Sequence, residues 1–355
     1  MLNVAIAGAG IGAKHFEAFS ELSEIFNVSS VCDLNFERGA ALAGKRPGIK
    51  FTTAFSDVLA DPEVDIVDIC LPPHLHFEYC MAALDAGKKV ICEKPLVASL
   101  QEADELKARV ASTNGFLAPV FQYRYGLGTA QLQALFDAGL AGRAYAGTLE
   151  THWDRPTSYY EIPWRGTWQG EQGGAILGHA IHIHDLLPTM LGPIDSVYAD
   201  LATRVNDIEV EDCAALSIRM KSGALITSSV TLGCAENISR MRLMFEGFTL
   251  ESDHAPYALA QKGWSFKARA PTTQQAIDAV LETVGPVRSG YAGMFEAIAK
   301  TLAGQNAPFV SLEDGRRSLE FVTAVYASAR KNAPMSLPLG SDCALYTGWM
   351  PGAEN

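Results

Sequence analysis

Apolar runs alternate with helical patterns through the first 120 residues. Five short apolar runs predict strands, at residues 2–7, 28–32, 64–71, 89–92 and 116–122. Between these runs, apolar side chains recur at three- and four-residue spacing, which predicts helices. Strands that alternate with helices of about 10–15 residues are typical of parallel βαβ units. We therefore expect a doubly wound parallel sheet, which binds ligands at the carboxyl ends of its strands.

Residues that begin and end helices support this assignment. Ser99 and Glu102 form a capping-box pattern for a helix that ends before Gly115. Gly87 follows the predicted helix 77–86, and glycine is common just beyond the end of a helix. These boundaries agree with the alternation of strands and helices.

The pattern changes after about residue 123. Alternating apolar and polar positions predict further strands, at residues 145–153, 195–204, 211–220 and 224–232. The sequence Lys-Ser-Gly at 221–223 is typical of a hairpin turn, and helices near 291–302 and 311–330 close the chain. We therefore predict an α/β protein with two domains. Residues 1–122 form an N-terminal Rossmann domain with a doubly wound parallel sheet, and residues 123–355 form a C-terminal α+β domain with a large, mostly antiparallel open sheet.

Composition excludes several classes of partner. The 355 residues carry 28 Lys and Arg against 40 Asp and Glu, a net charge of −12 that opposes nucleic acid binding. No apolar run approaches the roughly 18 residues of a transmembrane helix, so we expect no membrane partner. The first residues lack a basic region, and we expect no signal peptide. The seven cysteines form no Cys-x-x-Cys pair, which favours reduced thiols in a cytoplasmic protein.

A glycine-rich turn after the first predicted strand indicates a dinucleotide site. Gly8 permits a tight turn, Gly10 lets the backbone approach a pyrophosphate, and Gly12 or Ala13 allows close packing of helix on strand. Asp33 ends the next strand, where a carboxylate accepts hydrogen bonds from the adenosine ribose and repels a 2′-phosphate. We therefore expect NAD, with NADP the less favoured cofactor. The alternative is a glycine turn without a nucleotide.

Lys94 directly follows the predicted strand 89–92, inside the sequence Glu93-Lys94-Pro95. A lysine there is partly removed from water, which lowers its pKa toward the range useful for proton transfer. Pro95 fixes the backbone, and we expect a cis peptide bond before it. Here the sequence resembles the Gfo/Idh/MocA family (glucose–fructose oxidoreductase, inositol dehydrogenase, rhizopine catabolism). The resemblance covers nearly the whole chain and rests on a set of motifs: the glycine turn with His15, Val31-Cys-Asp33, Leu71-Pro-Pro-His-Leu-His76, Ala86-Gly-Lys-Lys-Val-Ile-Cys-Glu-Lys-Pro-Leu96, Gln122-Tyr-Arg124, Trp164-Arg165, Gly173-Gly-Ala-Ile-Leu-Gly-His-Ala-Ile-His-Ile-His-Asp185 and Val310-Ser-Leu-Glu-Asp-Gly-Arg-Arg-Ser-Leu319.

The resemblance implies NAD(P)-dependent hydride transfer at a hydroxyl or carbonyl carbon of a sugar, cyclitol or related polyol. It implies that Lys94 assists proton transfer, that His182 acts beside it, and that Arg124 and Asp185 join them at the substrate. It also implies a set of cofactor-binding residues: Gly8, Gly10, Ile11, Gly12, Asp33, Leu71, Pro72, His76, Glu93, Lys94, Pro95, Gln122 and Arg165. The open sheet of such proteins often builds the oligomer, so we expect a homodimer or homotetramer.

The chain departs from the family pattern four residues before His182. Many members carry an aspartate there, whereas this chain has Gly178 followed by His179. His179 is therefore the nearest titratable substitute and our third candidate catalytic residue. A metal bound by His179, His182 and Asp185 is the alternative for this cluster, but no cysteine or second ligand group supports it, so we expect no metal.

Two other functions stay open at this point. One is the same hydride chemistry on a substrate that is not a sugar. The other is a regulatory or scaffold protein that binds nucleotide or sugar without turnover, because the family aspartate is missing at Gly178. The aromatic residues Trp153, Tyr159 and Trp164 before the glycine-rich motif either stack on a sugar ring or form a loop that covers a core.

Overall fold

A computed structural model describes residues 1–351. The chain folds into two compact units. The first unit contains Met1–Val120 and Met294–Leu319, and the second contains Phe121–Gly293 and the residues from Glu320 onward. Residues 294–319 thus pack with the first unit, although they lie within the second domain that the sequence predicts.

The first unit contains a six-stranded sheet in the order β3-β2-β1-β4-β5-β6, with every neighbouring pair parallel. This order confirms the predicted doubly wound Rossmann sheet. Its strands are β1 (Leu2–Ala7), β2 (Phe26–Cys32), β3 (Lys50–Thr52), β4 (Ile66–Ile69), β5 (Lys89–Cys92) and β6 (Leu117–Pro119). The helices between them are α1 (Gly12–Glu21), α2 (Phe36–Ala43), α3 (Phe55–Ala60), α4 (His76–Asp85) and α5 (Leu100–Thr113).

The second unit contains an eight-stranded sheet in the order β13-β12-β11-β7-β10-β9-β8-β14. All of its neighbours are antiparallel except β7 and β10, which confirms a mostly antiparallel sheet. Its strands are β7 (Ala144–Asp154), β8 (Ile194–Ala202), β9 (Cys213–Met220), β10 (Leu225–Thr231), β11 (Gly233–Phe245), β12 (Phe248–Glu251), β13 (Ser265–Ala268) and β14 (Met335–Ser336). The remaining helices of the chain are α6 (Leu127–Asp137), α7 (Trp168–Glu171), α8 (Ile181–Leu191), α9 (Gln274–Leu281), α10 (Gly290–Leu302) and α11 (Leu312–Lys331).

Local hydrogen bonds explain two of the predicted helix starts. Ser99 Oγ accepts a hydrogen bond from the backbone N–H of Glu102 at 3.1 Å, as the capping-box pattern predicts. Ser311 and Asp314 cap α11 reciprocally, because each side chain accepts from the backbone N–H of the other at 3.2 and 2.8 Å. Both caps satisfy donors that the first turn of a helix leaves open.

The core of the first unit includes aromatic side chains from distant parts of the chain. Phe295 of α10 stacks on Phe19 of α1, with ring centroids 4.0 Å apart and an interplanar angle of 5°. Phe26 and His15 meet the same Phe295 ring edge-on, at 6.5 and 5.3 Å. These contacts place residues 294–319 in the first unit.

Within residues 1–351, no helix combines the length and the apolar character that crossing a bilayer would require.

Candidate active site

The glycine-rich turn between β1 and α1 has the shape that the sequence predicts. Gly8 has φ +102°, and a Cβ atom there would lie 2.3 Å from the carbonyl oxygen of Cys70. A Cβ atom at Gly12 would lie 2.7 Å from Ile6 Cγ2, so glycine lets α1 pack on β1. At Gly10 a Cβ atom would meet nothing within 4 Å. The turn therefore excludes side chains on its inner side and leaves room at Gly10, which fits a pyrophosphate at the start of α1.

Asp33 follows β2 and is buried beside this turn. Its carboxylate accepts hydrogen bonds from the backbone N–H groups of Ala9 and Asn35, each at 2.7 Å. Arg38 Nε and Nη2 donate to it as well, each at 2.9 Å. Burial alone would raise the pKa of Asp33, but the hydrogen bonds from Arg38, Ala9 and Asn35 lower it below its ordinary value. Asp33 is therefore an ionised carboxylate that already holds the nearby cation.

A buried histidine connects the glycine turn to the Lys94 loop. His15 Nδ1 lies 2.9 Å from Asp68 Oδ2, and its Nε2 lies 3.1 Å from Glu93 Oε1. Burial alone would lower the pKa of His15, but attraction and hydrogen bonds to Asp68 and Cys70 together outweigh it and raise the pKa well above the ordinary value. The imidazolium thus balances charge between two buried carboxylates. His15 belongs to the glycine-turn motif, but the sequence pattern alone indicates no role for it.

The loop that carries Lys94 is fixed on both sides of that residue. Glu93 Oε2 accepts a hydrogen bond from the backbone N–H of Lys94 at 3.0 Å. The Lys94–Pro95 peptide is cis, as predicted. His76 lies with Nδ1 2.7 Å from the carbonyl oxygen of Pro95 and Nε2 2.8 Å from that of Leu71. Burial lowers the pKa of His76, although its contacts with the two carbonyl oxygens raise it in part, and the ring lies between the two loops. The half-buried Lys94 side chain therefore starts from a rigid backbone at the end of β5.

The first unit also brings together three groups of the kind that bind metals. Ligand atoms of His15, Asp68 and Cys70 lie within 4.8 Å of one another, the one such group that residues 1–351 contain. Burial raises the pKa of the Cys70 thiol, which keeps it protonated and a poor ligand. The group is satisfied internally, because Cys70 Sγ lies 3.3 Å from His15 Nδ1. His179, His182 and Asp185, the alternative metal ligands, do not form such a group among residues 1–351.

In the second unit, α8 carries two of the predicted site residues. His182 is buried and stacks on Tyr123, with centroids 4.7 Å apart and an interplanar angle of 15°. Asp185 accepts hydrogen bonds from Arg124 Nε at 2.7 Å and Nη2 at 2.6 Å. Arg124 and Asp185, two of the residues that the resemblance assigns to the substrate, thus form a bidentate ion pair that is largely buried.

His179 lies in a π-helical turn, Ile176–Ala180, which directly precedes α8. Its Nε2 accepts a hydrogen bond from Arg155 Nε at 3.1 Å. A guanidinium only donates, so the neutral His179 ring carries its proton on Nδ1. Trp153 meets the ring edge-on at 5.3 Å.

The other two predicted cofactor residues of the second unit have different surroundings. Gln122 is buried, and its Nε2 donates to the hydroxyl of Tyr291 at 3.4 Å. Arg165 lies over the Tyr159 ring, with the guanidinium carbon 3.8 Å from the centroid, and 4.9 Å from that of Trp164. The aromatic segment before the glycine-rich motif therefore surrounds cations.

Comparison with known proteins agrees with this geometry. Residues 2–121 match the family model GFO_IDH_MocA, described as an oxidoreductase family with an NAD-binding Rossmann fold. Residues 129–251 match the model of the GFO/IDH/MocA C-terminal domain. The chain belongs to the Gfo/Idh/MocA family. Its first unit is accordingly an NAD-binding Rossmann fold.

Several relatives of this Gfo/Idh/MocA chain have names that describe enzymes acting on sugars. The chain is 30% identical over 214 residues to the levoglucosan dehydrogenase of Pseudarthrobacter phenanthrenivorans, covering 57% of this chain and 54% of that protein. It is 28% identical over 195 residues to the D-glucoside 3-dehydrogenase of Escherichia coli, covering 54% of each. The matches thus span about half the length of these curated relatives. The WlbA dehydrogenase of Bordetella pertussis, crystallised with NADH and UDP-GlcNAcA, is 26% identical with a TM-score of 0.84, covering 96% of this chain and 98% of that one.

Glu211 supports the segment before α8 in this Gfo/Idh/MocA chain, and the sequence does not predict this role. The buried carboxylate of Glu211 accepts hydrogen bonds from the backbone N–H groups of Gly174 at 3.1 Å and Ile176 at 3.0 Å. Tyr326 donates its hydroxyl to the same carboxylate at 3.0 Å. Glu211 is distant in sequence from these partners, and the only local signal is a glutamate inside a predicted strand. It anchors the turn that leads to His179.

Proposed function

We propose that this protein is an NAD-dependent oxidoreductase that transfers hydride between the nicotinamide and a hydroxyl or carbonyl carbon of a sugar, cyclitol or related polyol. The observation that carries the proposal is Lys94, held at the carboxyl end of β5 in the sheet whose glycine turn fits the cofactor. The relatives named as sugar dehydrogenases support the class of substrate. NAD, when bound, supplies the hydride acceptor.

In this proposal Lys94 receives the proton of the substrate hydroxyl. Loss of hydride from a carbinol carbon leaves positive charge on that carbon unless the hydroxyl proton also departs. A positioned base that takes the proton typically contributes about 10²–10⁴-fold in rate. The hydrogen bond from the Lys94 backbone to Glu93 orients the side chain, and His15 lies 3.1 Å from the same Glu93 carboxyl. The lysine therefore needs no movement of its backbone to meet a substrate.

Residues of the second unit hold the sugar in this proposal. His182, fixed by stacking on Tyr123, holds a substrate oxygen or passes the proton outward. The catalytic role of His179 stays a prediction, and its bond to Arg155 favours positioning, because the basic nitrogen Nε2 is already occupied. Asp185 and Arg124 neutralise one another and keep α8 in place beside the substrate.

Replacement of Lys94 by methionine tests the mechanism. Methionine matches the length of the lysine stem but accepts no proton, so turnover should fall by at least 100-fold. NAD affinity should change little, since the glycine turn and Asp33 hold the cofactor. Turnover over a panel of sugars and polyols is followed through nicotinamide absorbance, and NAD binding through tryptophan fluorescence. A Lys94→Met protein with wild-type turnover would overturn the role of Lys94, and a wild-type protein that oxidises no member of the panel would count against the substrate class.

We also propose a cytoplasmic homo-oligomer. The seven cysteines are free thiols, which suits a reducing compartment. Alternate residues of β9 and β10 are exposed on one face of the open sheet, among them Ser217, Thr227 and the large apolar Leu225. Such a face gains from cover by a second copy. Light scattering at micromolar concentration should give a dimer or tetramer, and a monomer would reject the assembly.

A further inference from the structure

Arg155, just beyond the end of β7, is held by aromatic rings in the second unit. Its guanidinium carbon lies 4.9 Å from the ring centroids of both Trp153 and Tyr159, and 6.0 Å from that of Tyr257. Ring faces attract a cation without neutralising it. The three rings therefore fix the guanidinium in place and leave its charge unbalanced.

The hydrogen bonds of Arg155 also end on neutral groups. Nε donates to His179 Nε2 at 3.1 Å, Nη1 to the carbonyl oxygen of Asp154 at 2.8 Å, and Nη2 to the hydroxyl of Tyr257. A guanidinium has five N–H groups. Within residues 1–351, two of the five on Arg155 have no acceptor, and no carboxylate oxygen lies within 4 Å of the group. One free N–H remains on each of Nη1 and Nη2, the pair that binds an oxyanion through two parallel bonds.

A second cation shares the same ring. Arg165 is half-buried with its guanidinium carbon 3.8 Å from the Tyr159 centroid. Its Nε is fully buried and has no hydrogen-bond acceptor among the described residues. Two guanidinium groups on one ring repel each other unless an anion lies near them. The Glu171 carboxylate acts electrostatically on the same Tyr159 ring and offsets part of this positive charge.

Space for a ligand adjoins the cluster. Gly178 precedes His179, the residue to which Arg155 donates. A Cβ atom at Gly178 would meet no other atom within 4 Å. The π-helical turn therefore presents an opening next to the residue that Arg155 holds.

We propose that Arg155 anchors a subsite for an oxyanion, so that the sugar substrate carries a carboxylate or a phosphate group. Two parallel N–H bonds from Arg155 receive the oxyanion, Arg165 adds a second positive charge, and the aromatic rings exclude water around the pair. The identity of the ligand as a sugar rests on the proposed function, whereas anion binding is measured without any turnover.

Binding of matched neutral and charged sugars tests the proposal. The probes are D-glucose, D-glucuronate and D-glucose 6-phosphate, titrated by calorimetry into the full chain, without cofactor and again with NADH. We expect at least one charged sugar to bind tenfold or more tightly than glucose. A preference for glucuronate identifies the carboxylate, and a preference for glucose 6-phosphate identifies the phosphate. Equal affinities for the three sugars, or no binding of either charged sugar in both conditions, would overturn the subsite.

Three variants assign the effect to Arg155. Arg155→Gln should abolish the preference for the charged sugar, so that this sugar binds no more tightly than glucose. Arg155→Lys, which keeps the charge but loses the two-pronged geometry, should retain part of the preference. Arg143→Gln, at a position just before β7 where the side chain is 81% exposed, removes the same charge elsewhere and should behave as the wild type. Circular dichroism and the thermal midpoint show whether each variant is folded. If a folded Arg155→Gln protein still prefers the charged sugar as the wild type does, Arg155 does not bind the anion. This result is read from binding alone, whether or not any sugar is turned over.

Discussion

The buried Glu211 carboxylate makes the stability of the protein depend on pH, and its replacement by glutamine should remove that dependence. Burial raises the pKa of Glu211 to about 7, although hydrogen bonds from Ile176, Tyr326 and Gly174 lower it in part. An unfolded chain leaves the carboxyl at its ordinary value of 4.5. At about 1.36 kcal/mol per pH unit, the difference corresponds to about 3 kcal/mol of unfolding free energy.

The direction follows from proton binding in the two states. Below pH 4.5 the carboxyl is protonated in both states, so it does not make the unfolding free energy depend on pH. Between pH 4.5 and about 7 the unfolded chain releases its proton while the folded chain keeps it, so the unfolding free energy falls as pH rises. Above about 7 the folded chain carries a buried carboxylate and the loss is complete. Glu211 therefore favours the folded state at low pH.

Glutamine cannot ionise, so the stability difference between wild type and Glu211→Gln should change by about 3 kcal/mol between pH 4.5 and 8. Urea unfolding followed by circular dichroism measures it at each pH. The variant should be less stable at pH 4.5, because one of the two backbone N–H groups at Gly174 and Ile176 then faces an amide N–H₂ instead of an oxygen. Glu236→Gln, which changes an exposed carboxylate, is the control. A constant difference across the pH range would refute the reasoning.

Three further predictions test other parts of the molecule. Gly178→Ala should leave the free energy of unfolding unchanged or raise it by up to about 1 kcal/mol, because a Cβ atom there has open space. Gly174→Ala places a Cβ atom 1.9 Å from a carbonyl oxygen and should lower the free energy of unfolding sharply. Equal effects of the two variants in urea unfolding would contradict this geometry. His15→Phe should cost about 3–5 kcal/mol in urea unfolding, since it leaves two buried carboxylates without their cation; a loss below 1 kcal/mol would show that the network is not charged. Asp33→Ala should reduce the preference for NAD over NADP in fluorescence titrations, and an unchanged ratio would show that Asp33 does not meet the ribose.

The features that sequence predicts correctly are those set by neighbours along the chain. Strand and helix periods predict five of the six strands of the first unit in their order along the chain, and the capping pattern at Ser99 appears as a hydrogen bond. Gly8 and Gly12 were recognisable because a turn between strand and helix needs them at fixed spacing. The cis bond before Pro95 likewise depends on local chemistry. The strands β3 and β11 and the helices α6 and α9 were not predicted; β3 has three residues, which is too few to show an alternation.

The site contacts that sequence does not predict join residues far apart in the chain. His15 and Glu93 are 78 positions apart, and Glu211 and Gly174 are 37 apart. No periodicity records such a pair, because each partner alone has the appearance of an ordinary polar residue. The bond between Arg124 and Asp185, 61 positions apart, is a further example. Both residues match family motifs, yet only their geometry shows that each neutralises the other.

The first unit combines cofactor turn and catalytic loop into one hydrogen-bonded structure. Gly8 packs against the Cys70 carbonyl at the end of β4, and His15, one turn into α1, reaches Glu93 beyond β5. Because parallel strands end at the same edge of the sheet, one imidazolium spans the distance from the pyrophosphate turn to the loop that carries Lys94. A neutral side chain in place of His15 would leave the Glu93 carboxyl free to turn away, and the backbone N–H of Lys94 would then lose its acceptor. The Glu93 carboxyl, which costs stability when His15 does not balance it, is therefore also the group that orients the Lys94 backbone.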